Sequence, residues 1–357
     1  MNSEFWSNRV VLVTGHTGFK GAWIALWLKR LGAEVIGFSL PPPTVPSLFE
    51  SARLAEVIVS IEGDIRDLDR LNGVFSRYKP DVVIHMAAQS LVRYSYRHPI
   101  ETFSTNVLGT ANVMEAVRLS ESTRVLLNVT SDKCYENREW IWGYRESDAL
   151  GGHDPYSSSK ACAELVTTAY RDSFFSQSSA PGVPKVASAR AGNVIGGGDW
   201  AEDRLIPDII RAFMDEKPVI IRRPKSVRPW QHVLDPLNGY LALIEKMWTQ
   251  DKGFDQPWNF GPSAQDAKPV QWIVERMIEL WGSKASMKID TSTQPHEAGM
   301  LSLDCSKAHA MLGWTPRLML NEALEWTMEW YKAFRQAEDM RGLTESQIDR
   351  YQIIGNG

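Results

Sequence analysis

Tyr156 and Lys160, in Pro155-Tyr156-Ser157-Ser158-Ser159-Lys160, are a pair whose types and spacing could do chemistry. On a helix, residues four apart share a face. A phenol takes up a proton near neutral pH only where a cation favours its ionised form, and Lys160 is such a cation. Ser131, in Thr130-Ser131, could bring a hydroxyl to the same place. Such a group of side chains would move a proton on and off a substrate oxygen.

A second constellation is Thr14-Gly15-His16-Thr17-Gly18-Phe19-Lys20-Gly21. Gly15 suits a tight strand-to-helix turn, Gly18 lets a pyrophosphate approach the backbone, and Gly21 lets helix and strand pack closely. The helix N-terminus then offers unpaired N–H donors and a positive dipole end. Gly15, His16, Thr17, Gly18 and Phe19 are therefore candidate contacts to a dinucleotide. Asp64-Ile65 could turn a carboxylate to an adenine amino group, and Ala87-Ala88-Gln89 is small enough for a cofactor to lie against it. An acid that would clamp the adenosine ribose is missing, because the second strand ends Phe38-Ser39-Leu40-Pro41. Ser39 offers one neutral hydrogen bond in its place, which predicts weaker cofactor binding.

These residues need a frame, and the pattern supplies one. Short apolar runs at Arg9–Thr14, Glu34–Phe38, Glu56–Glu62, Asp81–Met86, Arg124–Thr130 and Val186–Arg190 read as strands. Helical patterns at Phe19–Leu31, Asp67–Tyr78, Thr102–Ser120 and Tyr156–Phe175 lie between them, with Asp67 an N-cap. Nearly continuous apolar strands alternating with helices predict an α/β fold: a Rossmann-type, doubly wound parallel sheet with helices on both faces. The dinucleotide-binding domain is expected over 1–192. A smaller, partly interleaved α/β substrate lobe of short helices and strands is expected over 193–340, with some segments returning to the sheet, and a polar C-terminal tail over 341–357.

The composition fits this frame. The chain has 357 residues, enough for a large α/β unit and a smaller lobe. A net charge of −4 carries no basic excess of the kind that marks nucleic-acid or anionic-membrane partners. Three scattered cysteines form no CxxC pair, so neither a disulfide framework nor a zinc site is expected, and no metal is assigned. The first residues lack a signal-peptide pattern and no apolar run is long enough to span a bilayer, so a cytoplasmic protein is expected.

In order along the chain, TGHTGFKG, Asp64-Ile65, HMAAQ, the Asn106 region, TSDK at 130–133, YSSSK and RAGNVIG resemble the extended short-chain dehydrogenase/reductase family. The resemblance implies NAD as cofactor. It makes Ser131 and Tyr156 partners of the substrate oxygen, Lys160 a ribose ligand that tunes the tyrosine, and Asn106 a cofactor-shell or structural residue. Within the family, sugar-nucleotide 4,6-dehydratases carry an Asp-Glu pair after the hydroxyl residue; here Asp132 matches the general acid, while Lys133 stands where a glutamate base would be. A lysine can take a proton only in its neutral form. With RAGNVIGGGDWAEDRLIPD at 190–208 and VRPWQHVLD at 227–235, this implies CDP-glucose as substrate and a keto-deoxysugar product of the kind used in O-antigen lipopolysaccharide. Asn193, Arg204, Leu205, Arg228 and His296 are the implied substrate contacts, Arg228 pairing with a diphosphate. The resemblance further implies a homodimer, or a dimer of dimers, built on the helices near 102–120 and 156–175. A 4-epimerase of the same fold, a 4,6-dehydratase for a different nucleotide sugar, and an NAD-sensing regulator remain as alternatives.

Overall fold

The computed structural model describes residues 2–175, 182–250, 253–282, 285–290 and 300–354. A short helix α1 (Ser3–Trp6) precedes strand β1 (Val10–Thr14). Then α2 (Phe19–Arg30) leads to β2 (Glu34–Ser39), α3 (Leu48–Ser51) to β3 (Val59–Glu62), and α4 (Leu68–Tyr78) to β4 (Val82–His85). Helices α5 (Val92–Arg97), α6 (Pro99–Phe103) and α7 (Gly109–Leu119) lead to β5 (Val125–Val129), and α8 (Pro155–Tyr170) to β6 (Lys185–Arg190). The rest of the chain holds β7 (Val194–Ile195), α9 (Leu205–Met214), β8 (Val219–Ile221), β9 (Val227–Pro229), β10 (Gln231–His232), α10 (Leu234–Thr249) and β11 (Pro257–Asn259). It ends with β12 (Ala267–Pro269), α11 (Val270–Trp281), β13 (Met287–Ile289), α12 (Leu320–Arg335) and α13 (Met340–Ile354).

Among the described residues the main sheet has seven strands in the order β11-β6-β5-β4-β1-β2-β3, all parallel. Its central strands β1, β4 and β5 are apolar on both faces because both are covered. Val11, Val13, Val82, Ile84, Val125 and Leu127 enter one core with Trp23 and Trp27 of α2. Leu12, Val83 and Leu126 enter the other with Leu71 and Phe75 of α4 and Val113 and Met114 of α7. The strand order reverses direction between β1 and β4, the crevice at which doubly wound sheets bind ligands. The glycine turn and Ala87-Ala88-Gln89 both open onto it.

The structure departs from the sequence expectation in three places. The helix expected over 102–120 is interrupted by a π-turn at Ser104–Leu108, which carries Asn106. The lobe is not built from short helices alone, since α10 and α12 have 16 residues each. Residues 341–357 were expected as a polar tail, but α13 is a helix whose Met340, Thr344, Gln347, Ile348 and Tyr351 are buried. Thr344 and Gln347 can be buried despite their polarity because Thr344 Oγ1 donates to Met340 O and Gln347 Nε2 to Trp326 O. Strand β11 pairs in parallel with β6 at the edge of the main sheet.

Candidate active site

The turn after β1 is built by exclusion. Gly15 has φ +76, and a Cβ there would lie 2.7 Å from Ala87 N. A Cβ on Gly21 would meet Gly15 O at 2.0 Å, so α2 presses directly on the turn. At Gly18 the nearest atom is Gly15 O at 3.4 Å, and no side chain caps α2. An uncapped helix N-terminus behind an open glycine suits a pyrophosphate. Thr17 is held back by Ser39 Oγ at 2.8 Å and Leu40 O at 2.9 Å. His16 turns inward: its Nε2 bonds Ser60 Oγ at 2.8 Å, and its ring fills the place of a Cβ on Gly37. Burial lowers its pKa to about 4, so it is neutral, and His16 can offer the crevice only its backbone. Phe19, part-buried, packs on the core at the start of α2.

At the end of β4, His85 joins Thr14 Oγ1 (2.7 Å) to Thr110 Oγ1 (3.1 Å), and Thr14 accepts from Ala87 N at 3.2 Å. Asn106, on its π-turn, accepts from Gln89 N at 2.8 Å and donates to Gln89 O at 2.9 Å and Ser159 Oγ at 2.8 Å. It thereby fixes the strand end against the helix that carries Tyr156 and Lys160. The Asp64 carboxylate is held by Arg66, whose hydrogen bond keeps it below its ordinary pKa. Ile65 is buried against Gly109.

Asp154 caps α8 by accepting from Ser157 N at 2.9 Å, with Pro155 in the first turn. This fixes the helix start so that Tyr156 and Lys160 are both buried. Burial pushes the Tyr156 hydroxyl up to about 12, although its hydrogen bond to Ser131 works the other way. Burial pulls Lys160 down to about 8, against the charge of Glu164. Without an added positive charge in the crevice, the phenol is therefore the favoured form. Ser131 caps a single turn of 3-10 helix, Asp132–Cys134; it accepts from Lys133 N at 3.2 Å and donates to Asp132 Oδ1 at 3.0 Å. Asp132 is buried and Lys133 half-buried.

On the lobe side, Arg204 donates to Asp199 Oδ2 and to Ser90 Oγ, each at 3.0 Å, and its charge acts on Tyr156. Leu205 begins α9 and packs on the core. Asn193 has φ +50, and its carbonyl accepts from Gln231 N at 3.2 Å. Arg228 is buried on β9 opposite Lys268 of β12. His296 lies outside the described residues. Among those residues no group of three or more His, Cys, Asp or Glu could hold a metal ion.

Two participants went unread in the sequence. Lys20 reaches Tyr240 Oη at 3.3 Å, and burial together with Lys160 and Arg204 lowers it to about 7 while Asp132 raises it. A cation in the first turn of a helix opposes the helix dipole, and that was the available signal. Ser90 follows Gln89 directly and is the other.

The family model described as GDP-mannose 4,6 dehydratase matches residues 12–327. The chain belongs to that family. It is 53% identical over 353 residues to the CDP-glucose 4,6-dehydratase of Salmonella typhimurium, covering 98% of each chain. It is 24% identical to the dTDP-glucose 4,6-dehydratase of Haemophilus influenzae, covering 90% of this chain and 97% of that one. Its fold matches that of the Bacillus anthracis dTDP-glucose 4,6-dehydratase solved with NAD, at TM-score 0.76 and 22% identity over 93% of this chain and 99% of the other. No helix among the described residues is long and apolar enough to cross a membrane.

Proposed function

We propose that this chain is an NAD-dependent dehydratase that converts CDP-D-glucose to CDP-4-keto-6-deoxy-D-glucose, a precursor for deoxysugars. The observation that carries the reading is the 53% identity, end to end, with a CDP-glucose 4,6-dehydratase. The convergence of Tyr156, Ser131 and Asp132 at the crevice supports it.

The glycine turn, the N-terminus of α2 and the Ala87–Gln89 segment would hold NAD, which fits because Gly15 and Gly21 let the turn close tightly on Ala87 and α2 while Gly18 leaves the uncapped helix end open. NAD, when bound, supplies the acceptor and donor of hydride and a positive charge near Tyr156. Tyr156 Oη takes the proton of the C4 hydroxyl, with Ser131 sharing that oxygen and Lys160 supporting the phenolate. A ketone at C4 acidifies the C5 proton; Lys133 removes it and gives a proton back to C5 as the 6-deoxy product forms. Asp132 protonates the C6 oxygen so that water leaves. Arg204 and Arg228 hold the diphosphate of the substrate.

Residues 193–340 form the substrate lobe in this reading. The exposed Leu108, Leu119 and Leu165, on or beside α7 and α8, form the contact of a homodimer, and the enzyme works in the cytoplasm. The test is one incubation of the protein and NAD with CDP-, dTDP- and GDP-sugars. A 4-keto-6-deoxy product from CDP-glucose is expected. An epimerised hexose that keeps its 6-hydroxyl, or conversion only of another nucleotide sugar, overturns the reading.

A further inference from the structure

Gly192 lies two residues beyond β6, where the chain crosses the end of β5. A Cβ placed on it would stand 1.9 Å from Asp132 Oδ2, 2.1 Å from Cγ and 2.4 Å from Oδ1. Those are the three nearest atoms, so what the missing side chain makes room for is the Asp132 carboxylate. The φ of Gly192 is not positive, unlike those of Gly15 and Gly198. The need at 192 is for space rather than for a torsion that only glycine adopts.

Neither side of this contact can step away. Asp132 is 3% exposed, has two side-chain torsions, and sits in the single turn that Ser131 caps while donating to Oδ1 at 3.0 Å. The peptide of Gly192 is held from below: Gln231 Nε2 donates to Gly192 O at 3.1 Å and to Phe260 O at 2.9 Å. Gln231 N donates to Asn193 O at 3.2 Å, and Phe260 N donates to Arg190 O at 2.8 Å. Residues 190–193 are thus pinned through Gln231 and Phe260.

We infer that Gly192 is a positioning residue for dehydration: it gives the Asp132 carboxylate its place, and a side chain there would leave an enzyme that oxidises C4 but loses water slowly. The inference rests on the reading under Proposed function. Tyr156 and Lys160, which act in the first step, stand on α8 and not in the Asp132–Cys134 turn, so a side chain at 192 bears on the second step. A misplacement of about 1 Å in a reacting group costs on the order of 10²-fold in rate.

The test uses Gly192→Ala in single-turnover mixing of enzyme, NAD and CDP-glucose, with wild type run alongside. C4 oxidation, followed by reduced-cofactor absorbance, is expected to stay within about threefold of wild type, a loss small against the barrier scale. Formation of the 6-deoxy product is expected to fall about 10²-fold, so that the reduced cofactor accumulates. Wild-type rates for both steps, or an equal fall in both, would overturn the inference. Failure of the wild type to convert CDP-glucose would instead overturn the proposed function. Stability gives a readout that needs no activity. In urea titrations Gly192→Ala should destabilise the wild type but not the Asp132→Ala background, since that variant removes the carboxylate it meets. An equal cost in both backgrounds places the clash elsewhere and sinks the idea.

Discussion

Tyr156 is buried with its hydroxyl pushed up to about 12, so its service as a base depends on charge brought to it. Replacing Tyr156 with Phe leaves the C4 hydroxyl without a proton acceptor. First-turnover formation of reduced cofactor is expected to fall by about 10²–10⁴-fold, the usual contribution of a positioned base, as stopped-flow absorbance would show. Asp132→Asn should separate the steps, because an amide cannot give the leaving C6 oxygen a proton. C4 oxidation continues in that variant and the keto-deoxysugar is not formed; unchanged product would remove Asp132 from the role. Lys133→Met in heavy water asks the matching question of the base. Deuterium at C5 should disappear while oxidation persists.

At the scale of the element, α8 carries a third residue on the face of the catalytic pair: Tyr156, Lys160 and Glu164 follow one another at a spacing of four. Glu164 accepts from Arg190 at 2.8 Å, from Ser188 at 2.7 Å and from Thr130, and so ties α8 to the ends of β5 and β6. Burial pushes its carboxyl up, but the charge of Arg190 and these hydrogen bonds more than offset that and leave it lowered. A lowered folded-state pKa means that the stabilisation is present above the ordinary carboxylate range and is lost as pH falls through the folded value. Glu164→Gln leaves Arg190 buried and unpaired, an expected cost of about 3–5 kcal/mol by urea titration at neutral pH. The cost should shrink as the pH is taken below 4. The strands, α8, and α4 with its cap Asp67 were legible because apolar runs and capping residues act locally. The Glu164–Arg190 pair was not, because a glutamate on a helix and an arginine on a strand acquire a relation only once the sheet forms. Gly192 was read as part of a motif, but its reason is a neighbour 60 residues earlier.

For the molecule as a whole, Asp235 holds the lobe and α13 together. Its Oδ1 accepts from Arg317 N and Tyr351 Oη, each at 2.7 Å, at the start of α10. Burial raises its pKa to about 6, only partly countered by those hydrogen bonds. The folded state therefore binds a proton more readily than the unfolded one, and stability falls as pH rises from about 4 to about 6. The size is on the order of 3 kcal/mol at neutral pH. Asp235→Asn keeps an acceptor for both donors and should flatten that slope; denaturant titrations at pH 4.5 and 7 would show it. Removing residues 340–357 takes the buried Met340, Ile348 and Tyr351 from the core. At about 1.5–3 kcal/mol for each, Tm should fall by about 10 °C or more, as calorimetry would show.

The packing of α13 has a consequence for how the protein is made. Tyr351 meets Trp27 edge to face at 5.6 Å, and Asp349 pairs with Arg30 across a sequence separation of 319 residues. Both partners belong to α2, the helix that closes the glycine turn. On a ribosome the apolar side of α2 emerges early and waits for nearly the whole chain before its cover arrives. The dinucleotide half is therefore a late-finished structure although it is encoded first. A fragment of residues 1–192 released on its own should expose Trp27 to water and bind a hydrophobic dye that the full chain does not.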